Sequence, residues 1–161
     1  SGNTVRGDAD TEARDTVLDY WGDRPALVFG RWSIPRPKRV RQVLIWDKGQ
    51  WPGMGDLAFP WGSSHEEIYV IGDGWCGRRM GTVIRADRIT SNGRHPTEKP
   101  LAALGPLIVR CPQGLILDPF CGSGSTLEAA KQECRAAIGI EIEPKYCEIA
   151  VKRLRQEVLP L

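Results

Sequence analysis

The chain has 161 residues, a formal net charge of +2, 41% hydrophobic and 26% charged residues, which are the values of a globular domain long enough to bury a core without staples. No apolar run approaches the roughly 20 residues of a membrane span and no signal peptide opens the chain, so a cytoplasmic protein is expected. The five cysteines form no C-x-x-C pair and only two histidines accompany them, which argues for reduced thiols and against a metal site.

In chain order, residues 1–10 are polar and glycine-bearing and read as a tail, with Ser1-Gly2 resembling an expression remnant. Residues 11–20 read as a helix whose buried face is Val17, Leu18 and Trp21. Residues 24–30 read as a short buried strand. The next segment gathers Arg31, Arg36, Lys38, Arg39 and Arg41 around Pro35 and Pro37, downstream of an acidic stretch that ends with Asp19 and Asp23. It is either a solvated loop or a patch facing nucleic acid. Strands follow at 41–46 and 66–72, with an edge strand at 82–85. Between the first two lies a long loop, 50–64, rich in glycine and proline and carrying Trp51 and Trp61. Long loops in compact domains are commonly functional, although a loop tryptophan also serves as an anchor to the core.

Thr97 is placed to cap a helix through Leu101 and Leu104, which Gly105-Pro106 should break or kink before residues 107–109. The run Gly114-Leu115-Ile116-Leu117 reads as a buried parallel strand, and Thr126 to Lys131 as a helix, with Ser125 and Glu128 at capping-box spacing. A second strand at 135–140 ends in Glu141. Pro144 then opens a last helix through Leu154, with Tyr146, Ile149, Ala150 and Leu154 on one face.

The stretch Asp118-Pro119-Phe120-Cys121-Gly122-Ser123-Gly124-Ser125-Thr126 is thus a strand end, a glycine turn and a helix start. Gly122 and Gly124 let the backbone turn sharply and let a ligand approach it. Asp118 stands where open α/β sheets bind ligands, and Glu141 lies about 20 residues further on, the distance at which the next strand brings a carboxylate to a ribose diol. A nucleotide-like ligand is the reading these residues support.

The same stretch resembles motif I, the D-P-F-x-G-x-G-T signature of S-adenosylmethionine-dependent DNA amino-methyltransferases. His95-Pro96-Thr97-Glu98-Lys99-Pro100-Leu101 resembles their motif X, and Gly139-Ile140-Glu141-Ile142-Glu143 with Tyr146 resembles motif II. The resemblance is closest over residues 95–155 and looser back to Trp21. It implies an α/β fold with a Rossmann-like methyltransferase sheet and helices on both faces. It implies S-adenosylmethionine held by Asp118, Phe120, Gly122, Gly124, Thr126, Glu141 and Ile142, with Pro96, Thr97 and Lys99 lining the methionine end. It implies a single domain over 11–161, with a target-side half (11–94) and a cofactor-binding half (95–161). Double-stranded DNA is the partner implied, with Arg36, Lys38, Arg39, Arg41, Trp51 and Trp61 as the residues to face it.

Such enzymes transfer the methyl group to the exocyclic amine of adenine or cytosine using a motif IV of D-P-P-Y type, which stacks on the flipped base and accepts the amine proton. No such tetrapeptide occurs here, since Phe59-Pro60-Trp61 lacks the polar first residue. In this permuted motif order motif IV comes first, so the chain is expected either to be a fragment lacking that strand or to be a relative that binds without catalysing. The catalytic group is therefore unassigned. A sheet edge left open there would favour pairing, a second copy of the chain included. A methyltransferase acting on RNA, protein or small molecules is the remaining reading, and the 95–101 stretch counts against it. Neither a metal nor a nucleophilic thiol is required, and Cys121, inside the turn, is expected to fill space.

Overall fold

The computed structural model describes residues 11–49, 58, 60–89 and 98–155. Trp51, Phe59, His95, Pro96 and Thr97, as well as the tail at 1–10, lie outside them. The chain divides into two compact units, Ser1–Trp75 with Arg79–Arg85, and Cys76–Arg78 with Ala86–Leu161.

The first unit opens with α1 (Glu12–Trp21), which buries Leu18. Val17 and Trp21 are only partly covered, and the Trp21 indole donates to the Pro25 carbonyl at 3.0 Å. Strands β1 (Ala26–Gly30), β2 (Val40–Asp47), β3 (His65–Ile71) and β4 (Val83–Arg85) form one sheet in the order β1-β3-β2-β4. β3 runs antiparallel to β1 and β2, while β4 runs parallel to β2 and is the expected edge strand. The β-branched and aromatic content of β2 and β3 suits a central position in the sheet. Trp46, Ile68, Tyr69 and Ile71 are accordingly the largest fully buried side chains. Phe29 meets Trp46 edge-to-face, with centroids 6.4 Å apart. Gly30 makes room for Tyr69, since a Cβ there would lie 2.4 Å from the ring.

The second unit contains α2 (Leu101–Ile108), β5 (Ile116–Asp118), α3 (Ser125–Gln132), β6 (Ala137–Gly139) and α4 (Pro144–Arg155). β5 and β6 pair in parallel, with Leu117 opposite Ile138. This is the strand–helix–strand crossover expected of an α/β fold. Among the described strands, β5 pairs with β6 alone and β1 with β3 alone.

Four expectations are corrected. The parallel strand expected to be buried over 114–117 is largely uncovered, Leu115 being 59% and Leu117 40% exposed, because among the described strands β5 has a neighbour on one side only. Pro106 neither breaks nor ends its helix but sits inside α2; the lost amide sacrifices one bond, while Ala103, Leu104, Leu107 and Ile108 still bury a continuous face. The strand expected over 135–140 begins later because the Arg135 amide donates to the Ala130 carbonyl at the end of α3 at 2.8 Å, while its guanidinium donates to the Cys111, Pro112 and Gly114 carbonyls at 3.2, 2.6 and 3.0 Å. The Ser125–Glu128 capping box does not form. Gly124, left-handed at φ 81°, is the N-cap of α3 without a side-chain cap, and Ser125 is the first helical residue.

Candidate cofactor site

The site is built at the carboxyl ends of β5 and β6. Asp118 closes β5 and folds back on its own chain, its Oδ1 accepting the Phe120 amide at 3.0 Å. The pairing continues past the strands, with Ile140 N–H donating to the Asp118 carbonyl at 2.8 Å and Cys121 N–H to the Ile140 carbonyl at 3.0 Å. The turn then reverses through Gly122 and Gly124, whose φ values of 51° and 81° are left-handed. Gly124 is doubly constrained, since a Cβ there would come within 2.9 Å of Ala150 Cβ on α4.

Glu141, just past β6, joins the two ends. Its Oε2 accepts the Gly122 amide and its Oε1 the Glu143 amide, each at 2.8 Å. A carboxylate offers about four lone-pair sites, so acceptor capacity remains for a diol. Phe120 and Ile142, 57% and 72% exposed, flank these carboxylates in sequence and present apolar surface. Thr126 is partly covered in the first turn of α3, and Lys99 is half-buried next to buried Glu98. The second unit therefore holds every described residue expected to bind the cofactor. The donor set fits an adenosyl ligand: a turn with two glycines that bare its backbone, two carboxylates at neighbouring strand ends, and apolar side chains beside them.

Cys121 packs against the strand that follows, where a Cβ on Gly139 would meet its Sγ at 2.7 Å and Leu127 Cδ1 at 2.6 Å. Burial, reinforced by the Asp118 and Glu141 carboxylates, pushes its thiol up to about 11. A thiol so protonated at neutral pH is no nucleophile.

Sequence reasoning missed the buried ionic cluster behind the turn. Arg153 on α4 pairs with Glu98 and with Glu128 on α3. It also donates to the Ser123 carbonyl at 3.2 Å, Ser123 Oγ at 3.3 Å and Ser125 Oγ at 3.2 Å. A signal existed, since Arg153 lies three residues beyond Ala150 and seven beyond Tyr146, a charge on the apolar stripe of its helix.

The basic segment belongs to the first unit, and much of its charge is internally engaged. Arg36 grips Glu67 through Nε at 3.2 Å and Nη2 at 2.6 Å, and the Tyr69 hydroxyl donates to the same carboxylate at 2.5 Å. The hydrogen bonds from Arg36 and Tyr69 hold the Glu67 carboxyl below its usual range. Burial and the neighbouring Glu67 push Tyr69 up to about 12. Arg39 donates to the Leu18 carbonyl at 2.8 Å and lies 3.7 and 3.6 Å from Asp19 and Asp23. Arg41 pairs with Asp73. Lys38 is exposed, and Trp61 is 82% exposed. The acidic stretch seen upstream in the sequence thus neutralises part of the cluster. Among the described residues no helix is long and apolar enough to cross a membrane, and no three His, Cys, Asp or Glu gather to hold a metal ion.

A family model described as DNA methylase, of the N6/N4 methyltransferase type, matches residues 11–152. The chain belongs to that family. Among curated DNA methylases and related proteins, it is 46% identical over 97 residues to the putative methylase YubD of Escherichia coli (strain K12), covering 58% of this chain and 43% of that one. It is 44% identical over 69 residues to the type II methyltransferase M.ScaI of Streptomyces caespitosus, covering 42% and 23%. The chain thus spans under half the length of these relatives. Among solved structures, the M1.HpyAVI–SAM complex superposes with a TM-score of 0.61 at 26% identity, over 73% of this chain and 63% of that one. The cytosine-N4-specific PvuII DNA methyltransferase superposes with a TM-score of 0.58 at 16% identity, over 75% and 53%, and speaks for the fold alone. The α/β methyltransferase class expected from the sequence is the class these neighbours share.

Proposed function

We propose that this chain binds S-adenosylmethionine at the β5–β6 strand ends and serves methyl transfer to the exocyclic amine of adenine or cytosine in double-stranded DNA, in the cytoplasm and in a modification role like that of type II methyltransferases. One observation carries the reading: Asp118 and Glu141 stand at the ends of neighbouring parallel strands with the Gly122–Gly124 turn between them. Bound there, S-adenosylmethionine would supply an activated methyl group. Glu141 would accept the ribose hydroxyls with its remaining lone pairs, Asp118 would add a second acceptor beside the turn, and Phe120 and Ile142 would shield the adenosyl moiety from water. Lys99, with Pro96 and Thr97 of the same stretch, would hold the methionine end. Arg36, Lys38, Arg39 and Arg41 with Trp51 and Trp61 would face DNA, Lys38 and Arg41 carrying most of the phosphate attraction because Arg36 is held by buried Glu67 and Arg39 by α1, whereas Arg41 is paired only with the exposed Asp73, which can give way to phosphate.

Calorimetric titration with S-adenosylmethionine and its demethylated product tests this. Micromolar affinity lost in Asp118→Ala supports the site, and unchanged affinity in Asp118→Ala and Glu141→Ala rejects it. A second reading, a module that binds cofactor and DNA without transferring methyl, is favoured by the absence of a D-P-P-Y tetrapeptide from the 161 residues. Methyl incorporation into mixed-sequence duplex DNA by this chain would refute it.

A further inference from the structure

We propose that Arg153 is a positioning residue that locks the glycine turn to the Glu98–Pro100 segment, so that one guanidinium fixes the methionine end of the cofactor site relative to the turn. This rests on the functional reading only for the identity of the ligand.

The Arg153 side chain is 9% exposed and that of Glu98 only 1%. Burying a guanidinium with two carboxylates is costly, and apolar residues of similar volume commonly serve stability as well or better. What an apolar substitute lacks is direction. Guanidinium donors leave in a fixed planar fork, and here they reach α3, the turn and the segment before α2 at once. The contact with the Ser123 carbonyl matters most. The same peptide unit carries the Gly124 amide, which donates to the Cys121 carbonyl at 2.8 Å. That peptide is held at both edges, its carbonyl by Arg153 and its amide by the turn, with left-handed Gly124 on one side and Ser123, next to left-handed Gly122, on the other, so that little else would stop it rotating. Glu98 Oε2 has no hydrogen-bond partner among the described residues, so Arg153 is what secures that carboxylate.

The test compares Arg153→Lys, Arg153→Met and the triple variant Glu98→Gln/Glu128→Gln/Arg153→Met, which removes every charge of the cluster and so leaves none buried and unpaired. Hydrogen exchange is measured first on the ligand-free chain. The Gly122 and Gly124 amides should exchange about tenfold faster or more in all three variants, while those of β3 keep their protection. Titration follows with S-adenosylmethionine and with 5′-methylthioadenosine, which lacks the amino-acid end. Affinity for the first should fall about tenfold or more and for the second less than about threefold, because Glu141 still holds the ribose. A purely structural role lowers both alike, in step with the folded fraction, and overturns the proposal. So does unchanged exchange at Gly122 and Gly124. Should the single variants fail to fold, the triple variant decides. A wild-type chain that binds neither ligand retires the methyltransferase reading, and the exchange result still settles Arg153.

Discussion

Glu141 clamps the turn it is expected to share with a ligand, its Oε2 accepting the Gly122 amide and its Oε1 the Glu143 amide, each at 2.8 Å. The carboxylate therefore has a structural duty before any cofactor arrives. Glu141→Gln keeps one carbonyl oxygen and turns an amide NH2, itself a donor, toward the other N–H. It should lower stability by about 1–3 kcal/mol and weaken S-adenosylmethionine binding by about 10- to 100-fold. Denaturant unfolding and calorimetry on one preparation separate the two effects; an affinity that falls no more than the folded fraction would leave Glu141 with the structural duty alone.

Gly139 has no room for a methyl group, with Cys121 Sγ at 2.7 Å and Leu127 Cδ1 at 2.6 Å from the position it would take. Gly139→Ala should cost about 1–3 kcal/mol by overpacking. Adding Cys121→Ala should recover part of that loss, a positive coupling that a double-mutant cycle reads directly.

The thiols should separate by reactivity. Cys76 and Cys134 are exposed, whereas burial and two carboxylates push Cys121 up to about 11. At pH 8 only about 0.1% of Cys121 is thiolate, so mass spectrometry of a timed alkylation should find Cys76 and Cys134 modified well before it. Early modification of Cys121 would mean that the turn opens in solution.

Two limbs of the pH–stability curve trace to one contact. Arg36 and Tyr69 hold Glu67 below its ordinary value near 4.5, so its contribution is complete above that value and is lost as the pH falls through the lower folded value. Tyr69 is raised from 10 to about 12, so its contribution is complete below pH 10 and is lost as the pH climbs toward 12. Glu67→Gln should flatten the acid limb and Tyr69→Phe the alkaline one, each visible in thermal melts across pH.

Much of this was legible in the chain. The glycine turn, both carboxylates and the crossover follow from local chemistry: apolar runs bounded by turn residues, a turn that needs left-handed residues and a carboxylate spaced by one helix. What escaped was long-range. Ser125 carries the right spacing for a cap, yet its hydroxyl is drawn 28 residues away to Arg153, and Arg36, by its charge a DNA contact, is held by Glu67 across 31 residues. Spacing rules describe neighbours along a helix and have no access to partners brought together by the fold.

Because Arg36→Ala would leave Glu67 buried without its cation, the DNA-facing role of the segment is better tested with Lys38→Ala and Arg41→Ala. Each should lower affinity for duplex DNA whatever its sequence and reduce the slope of log K against log salt by about 1. A slope that stays the same in the double variant would return the segment to ordinary solvated surface.

The fit of Tyr69 over Gly30 bears on how related chains can drift apart. The ring stands 2.4 Å from where a Cβ at position 30 would lie, and its hydroxyl is tied to Glu67, so the ring has nowhere to retreat. A side chain can enter position 30 only after position 69 has given up its ring, and removing the ring first opens a cavity that position 30 alone does not refill. The intermediate is unfavourable in either order, so the two positions should change together or not at all, and aligned relatives should show glycine–tyrosine at 30 and 69 or a joint replacement.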